Sequence, residues 1–112
     1  MEELKTSRVL FLGEQDGPVE RELKTNLIEN CLISNRSVLS AYLARVSYQE
    51  MPGSTVALCF WGGKENAAAI VECVGATFRR VFRSTEHLDI FFLDESQLQA
   101  IYKVAKPFYV VA

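Results

Sequence analysis

The chain has 112 residues, is 49% hydrophobic and carries a net charge of −2. That is the length of one domain, so residues 1–112 are expected to fold as a single unit, and the apolar fraction is well above that of chains that stay disordered. The slightly acidic balance argues against general nucleic-acid binding, which calls for a basic face, and no apolar run approaches the roughly 20 residues of a membrane span.

Met1-Glu2-Glu3-Leu4-Lys5 lacks the basic and apolar run of a signal peptide, so a cytoplasmic location is expected. Arg8 to Leu12 reads as a buried strand ended by Gly13, and Asp16-Gly17-Pro18 as a helix start with proline in the first turn. Val19, Leu23, Leu27 and Cys31, joined by Ile28, give that helix one apolar face, and it should stop near Ser34-Asn35. Val38 to Tyr48 and Thr55 to Trp61 flank the turn signal Met51-Pro52-Gly53-Ser54, which predicts a hairpin. Gly62-Gly63 breaks the second strand. A helix follows over Lys64 to Val74, with Gly75 as its C-terminal cap.

Thr77 to Phe82 reads as a strand with Phe78 and Phe82 on one face, and Leu88 to Leu93 as another buried strand. Between them Ser84 to His87 is a polar connection. Ser96 and Gln99 have capping-box spacing, while the adjacent Asp94-Glu95 suit capping and the helix dipole. The last helix carries Leu98, Ile101, Tyr102 and Ala105, and Pro107 ends it. The order β-α-β-β-α-β-β-α follows. Its first six elements match an α+β fold, a ferredoxin-like split β-α-β: helices lie on one face of a mostly antiparallel sheet, with an extra strand and a C-terminal helix at one edge.

Little in the sequence carries chemistry. Cys31, Cys59 and Cys73 are dispersed and odd in number, which suits small apolar residues better than a redox pair or zinc ligands. The single histidine, His87, has no partner set for a metal or for general base work. Arg79, Arg80 and Arg83, with Lys103 and Lys106, read as solvated charges. No nucleophile–base set or paired-carboxylate site can be assembled, so a non-enzymatic role without cofactor or metal is expected. Gly62-Gly63-Lys64 before a helix is a candidate anion site, although the phosphate-loop spacing is absent. The aromatic residues Tyr42, Phe92, Tyr102, Phe108 and Tyr109 are candidates for a partner surface. A sheet covered on one face leaves the other free, and Phe91 and Phe92 must point to opposite faces.

PVERELKTNLIENC, SAYLARV, TVALCF, a helix ending in VGATF, LDIFFL and the closing Pro107-Phe108-Tyr109 together resemble the C-terminal domain of the bacterial SseB family, the enhanced serine sensitivity proteins. The resemblance spans roughly residues 10 to 109, and AYLA and PFY are its most distinctive parts. It implies a non-catalytic module that binds a protein partner or its own copy, linked to serine sensitivity and to a rhodanese-type sulfurtransferase. Two other classes stand beside that reading: a small enzyme or sulfur carrier using one cysteine, and a sensor of a small ligand or anion at Gly62 to Lys64.

Overall fold

The computed structural model describes residues 9–49, 53–82 and 88–111. Among the described residues the fold is α+β: a five-stranded, mostly antiparallel sheet with three α-helices. The strands are β1 (Val9–Glu14), β2 (Val38–Tyr48), β3 (Thr55–Gly62), β4 (Asp89–Phe92) and β5 (Tyr109–Val110). The helices are α1 (Pro18–Leu27), continued by a π-helical turn Ile28–Leu32, α2 (Ala67–Val81), entered through a 3₁₀ turn Lys64–Asn66, and α3 (Glu95–Tyr102). The sheet order is β1-β2-β3-β4, with β5 paired to β2. β3 and β4 are the parallel pair, joined by α2 in a β-α-β unit, while β2 and β3 form the expected hairpin. Arg8, Met51, Pro52 and Ser84 to His87 lie outside the described residues.

β2 is buried on both sides because the sheet is covered on both faces, and from Ala41 onward its side chains alternate between them. Val38, Ala41 and Leu43 join Leu58 and Phe60 of β3 in a core with Leu23, Leu27, Cys31 and Leu32 of the α1 arm and Ile70 and Val74 of α2. Tyr42, Ala44 and Val46 face the other way, with Ala57 and Cys59 of β3, Phe11 of β1 and Phe91 of β4. There Leu98 and Ile101 of α3, with Ala105 just beyond it, close the second layer. Thus α1 and α2 share one face as expected, whereas the last helix covers the opposite face instead of an edge. Phe91 and Phe92 point to opposite faces, and the ring of Phe92 lies 5.4 Å from that of Phe60.

The expected strand at Thr77 to Phe82 is helix. α2 runs through Gly75, which has no positive φ and caps nothing, to Val81. Phe78 and Phe82 are four apart, a spacing that puts two side chains on one strand face or one helix face equally well. In the structure they stack as neighbours along the end of α2, ring centroids 4.7 Å apart. Ile70, Val74 and Thr77 carry the buried stripe past the glycine, and burying that stripe outweighs the ~1 kcal/mol that a mid-helix glycine costs. Arg79 and Arg80 then sit in the last turn, where the helix dipole favours cations. At the other end of the apolar face of α1, Val19 is exposed, because the buried stripe begins at Leu23.

The capping box of α3 belongs to Asp94 and Gln97, not to Ser96 and Gln99. Gln97 N–H donates to Asp94 Oδ1 (2.8 Å) and Asp94 N–H donates to Gln97 Oε1 (2.9 Å). Both pairs have the same spacing. Asp94 takes the role because Leu93 N–H is still tied to Phe60 O (2.8 Å), so the helix begins directly after β4.

Two measurements check this packing. Leu27 is fully buried between α1 and the sheet; Leu27→Ala is expected to lower unfolding stability by about 2–5 kcal/mol in urea titrations. The Asp94 carboxyl is held below its ordinary 3.8 chiefly by the Gln97 N–H and then by the Ser96 hydroxyl. A lowered folded-state value means that the cap stabilises above the ordinary value and is lost as pH falls through the folded one. Asp94→Ala should therefore cost about 1 kcal/mol at neutral pH, a difference that shrinks as the pH falls below 3.8. Asp94→Asn should keep the cap without that pH dependence.

Candidate functional site

α3 has eight residues, about 12 Å of helix at 1.5 Å each. β2 has eleven, about 37 Å of strand. One helix cannot cover the face beneath it. The end of β2 and β3 beyond α3 is bordered instead by the C-terminal segment, and between them lies an open groove of about 800 Å³. Its lining includes Leu39, Tyr42, Trp61, Tyr102, Pro107 and Val110. Tyr102, Val110 and Leu39 are 69%, 63% and 44% exposed, and among the described lining residues Lys106 brings the one charge.

The tail is docked on the chain's own sheet. Phe108 N–H donates to Ala41 O (2.8 Å) and Val111 N–H to Leu39 O (2.9 Å), while Ser40 and Ala41 pair with Val110 and Tyr109. Phe108 and Tyr109 turn to the α1–α2 side, where the Tyr109 hydroxyl lies 3.4 Å from Leu32 O. Lys24, largely buried, reaches Asp16 (3.1 Å) and Glu14 (3.8 Å) and stands 5.9 Å from the centroid of the Phe108 ring. Lys24 first and Arg21 second hold the Asp16 carboxyl below its usual range.

The five candidate surface aromatics therefore do not form one patch. Tyr42 is buried in the second core, 3% exposed, and only its margin reaches the groove beside Tyr102. Phe92, Phe108 and Tyr109 are half-buried against the other layer. The sheet face opposite α1 and α2 is not bare, because α3 packs on it. Nothing in residue type marks Leu39, Ser40 and Val110 as neighbours of Tyr42. The pairing of β5 with β2 brings them together, and two residues of strand leave almost no periodic signal.

The Gly62-Gly63-Lys64 turn has a structural task. Both glycines have positive φ, 86° and 87°. A Cβ on Gly62 would stand 2.6 Å from Ser37 O, and one on Gly63 would stand 2.7 Å from Val38 Cγ2. The turn leads through one 3₁₀ turn into the fifteen residues of α2, and the charge of Lys64 helps to lower the carboxyl of Asp94.

Cys59 is fully buried, and burial first and Asp89 second push its thiol up to about 12, far from a nucleophilic thiolate. The hydroxyl of Tyr48 donates to the Asp89 carboxylate; burial, then that bond, push it upward too. Among the described residues no group of three His, Cys, Asp or Glu side chains is placed to hold a metal, and no helix is long and apolar enough to cross a membrane. His87 and Arg83 lie outside the described residues.

No family model matches the chain, and no curated protein or solved structure matches it.

The glycine turn yields a direct test. Gly63→Ala should lower stability by about 1–3 kcal/mol, since it combines a left-handed φ with a clash. If the glycines serve the turn alone, excess inorganic phosphate should leave the melting temperature of the wild-type chain unchanged; a clear rise would show that Gly62 to Lys64 also holds an anion.

Proposed function

We propose that this domain is a non-catalytic protein-interaction module that binds an apolar segment of a partner protein in the groove between α3, β2 and the C-terminal tail. The observation that carries the reading is the groove itself, apolar and bordered by the exposed Tyr102, Leu39 and Val110. Contiguous exposed apolar surface of this kind marks interaction sites, and aromatic anchors supply most of the energy of such contacts. Lys106 at the rim favours an acidic residue beside the apolar segment. The resemblance to the SseB C-terminal domain supports the same class of function, in a bacterial cytoplasm, and names a rhodanese-type sulfurtransferase as a first partner to try, with a second copy of the chain as another. The three cysteines serve no catalysis in this reading, and no cofactor or nucleic acid takes part.

The test is selection from a displayed peptide library, with a rhodanese-type sulfurtransferase as a parallel bait. Selected peptides should share two or more apolar residues next to an acidic one. Tyr102→Ala, at an exposed position that leaves the core intact, should weaken them about 10-fold or more, equivalent to about 1.4 kcal/mol. Peptides that bind Tyr102→Ala and wild type equally, or no selection at all, would remove the groove as the binding site.

A further inference from the structure

The three cysteines are dispersed in sequence, yet the fold brings two of them to one seam. Cys31 sits in the π-helical turn after α1, and Cys73 sits on α2. The Cys73 thiol donates to the carbonyl of Asn30 (3.2 Å), the residue that precedes Cys31. In return, Cys31 Sγ lies 3.6 Å from Oγ1 of Thr77, the α2 residue one turn beyond Cys73 on the same helix face. The two contacts run between the same pair of segments and place both sulfurs between them, in the same hydrophobic cluster. Cys59 belongs to the core on the opposite side of the sheet and takes no part.

The π turn adds to this. Ile33 N–H bonds back to Ile28 O (3.0 Å), a five-residue step that widens the helix at Cys31. The two thiols also differ in access: Cys31 is 3% exposed, whereas Cys73 is partly open to solvent.

We infer that Cys31 and Cys73 are a reversible dithiol–disulfide pair, a redox modification site that links the π turn to α2. It stands independently of the groove. With hydrogen peroxide as the oxidant, the more accessible Cys73 reacts first. Its thiolate sulfur attacks one peroxide oxygen, the O–O bond breaks, and the departing hydroxide takes up a proton to leave as water. The product is a sulfenic acid on Cys73. Cys31 then loses its proton and attacks the Cys73 sulfur; the S–O bond breaks, and the second hydroxide leaves with that proton as water. Two thiols have lost two protons and two electrons, and peroxide has become two waters. An external dithiol reverses the bond by exchange. Burial, with Cys73 as its thiol neighbour, pushes the Cys31 thiol up to about 11. Cys31 therefore resists direct attack by oxidant, and its place beside Cys73, not its acidity, gives it the resolving role.

The experiment treats the reduced, full-length chain with hydrogen peroxide, alkylates it under denaturing conditions and maps the peptides by mass. A peptide pair cross-linked through Cys31 and Cys73 is expected, short of two hydrogens and separated by dithiothreitol, with Cys59 alkylated. Cys59→Ala should keep the cross-link and Cys73→Ser should abolish it. The inference is overturned if Cys31 stays alkylatable while Cys73 has passed to sulfinic or sulfonic acid. It is equally overturned if the cross-link involves Cys59 or joins two chains.

Discussion

Everything in this domain is arranged around one strand that is buried on both faces. Val38, Ala41 and Leu43 of β2 point to one layer and Tyr42, Ala44 and Val46 to the other, none more than 3% exposed. Such a strand cannot lie at the surface of a two-layer fold. It requires apolar cover above and below, and α1 with α2 supplies one side and α3 the other. Ala41 and Ala44 are small, which lets the layers close on the strand without voids. The exposed residue near its start, Leu39, falls where the register with β3 shifts, between Val38 and Ser40, so the alternation breaks there and an apolar side chain comes to the surface.

The same constraint accounts for the groove. α1 and α2 together have 25 residues of helix with which to cover their face, ten and fifteen. α3 has eight for the other. Aromatic bulk makes up part of the difference, since Tyr42, Trp61 and Phe91 are wider than Ala44 and Ala57 in the same layer. What α3 does not reach is bordered by residues 105 to 111. An unfinished second layer, rather than a cavity within the core, is thus where apolar surface meets solvent, and it falls beside the least regular part of the chain.

Much of this was legible in the sequence, and the failures have physical causes. β2 and β3 read correctly because parity and a Pro-Gly turn reinforce one another, and α1 because Leu23, Leu27 and Cys31 repeat at four behind Pro18. The segment from Thr77 to Phe82 did not, because Phe78 and Phe82 fit either period; only continuity of the stripe from Ile70 through Val74 decides for helix. The surface aromatics were harder still. Residue type marks Tyr42, Tyr102 and Phe108 as adhesive but does not say which neighbour covers each. That depends on the pairing of β5 with β2, a contact between residues 40–41 and 109–110. The approach of Cys31 to Cys73 is likewise set by how two helices cross, and dispersed cysteines read as isolated ones.

One edge of β2 shows how these parts depend on one another. β1 pairs with residues 44 to 48 and β5 with residues 40 to 41, so the first and last strands share a single edge. Its carbonyls are satisfied in turn: Leu43 by Gln15 N–H (3.0 Å), Ala41 by Phe108 N–H and Leu39 by Val111 N–H. At the junction Glu14 accepts from Lys106 N–H (3.3 Å) and attracts Lys24, whose ammonium in turn stands near Phe108. Without the tail, the carbonyls of Ala41 and Leu39 would lose these partners and leave an open strand edge. The tail is therefore required to complete the sheet, and that requirement also holds Pro107 and Val110 at the margin of the groove. The groove inherits its shape from backbone pairing, which leaves the exposed side chains of Leu39, Tyr102 and Val110 free to vary with whatever segment they meet.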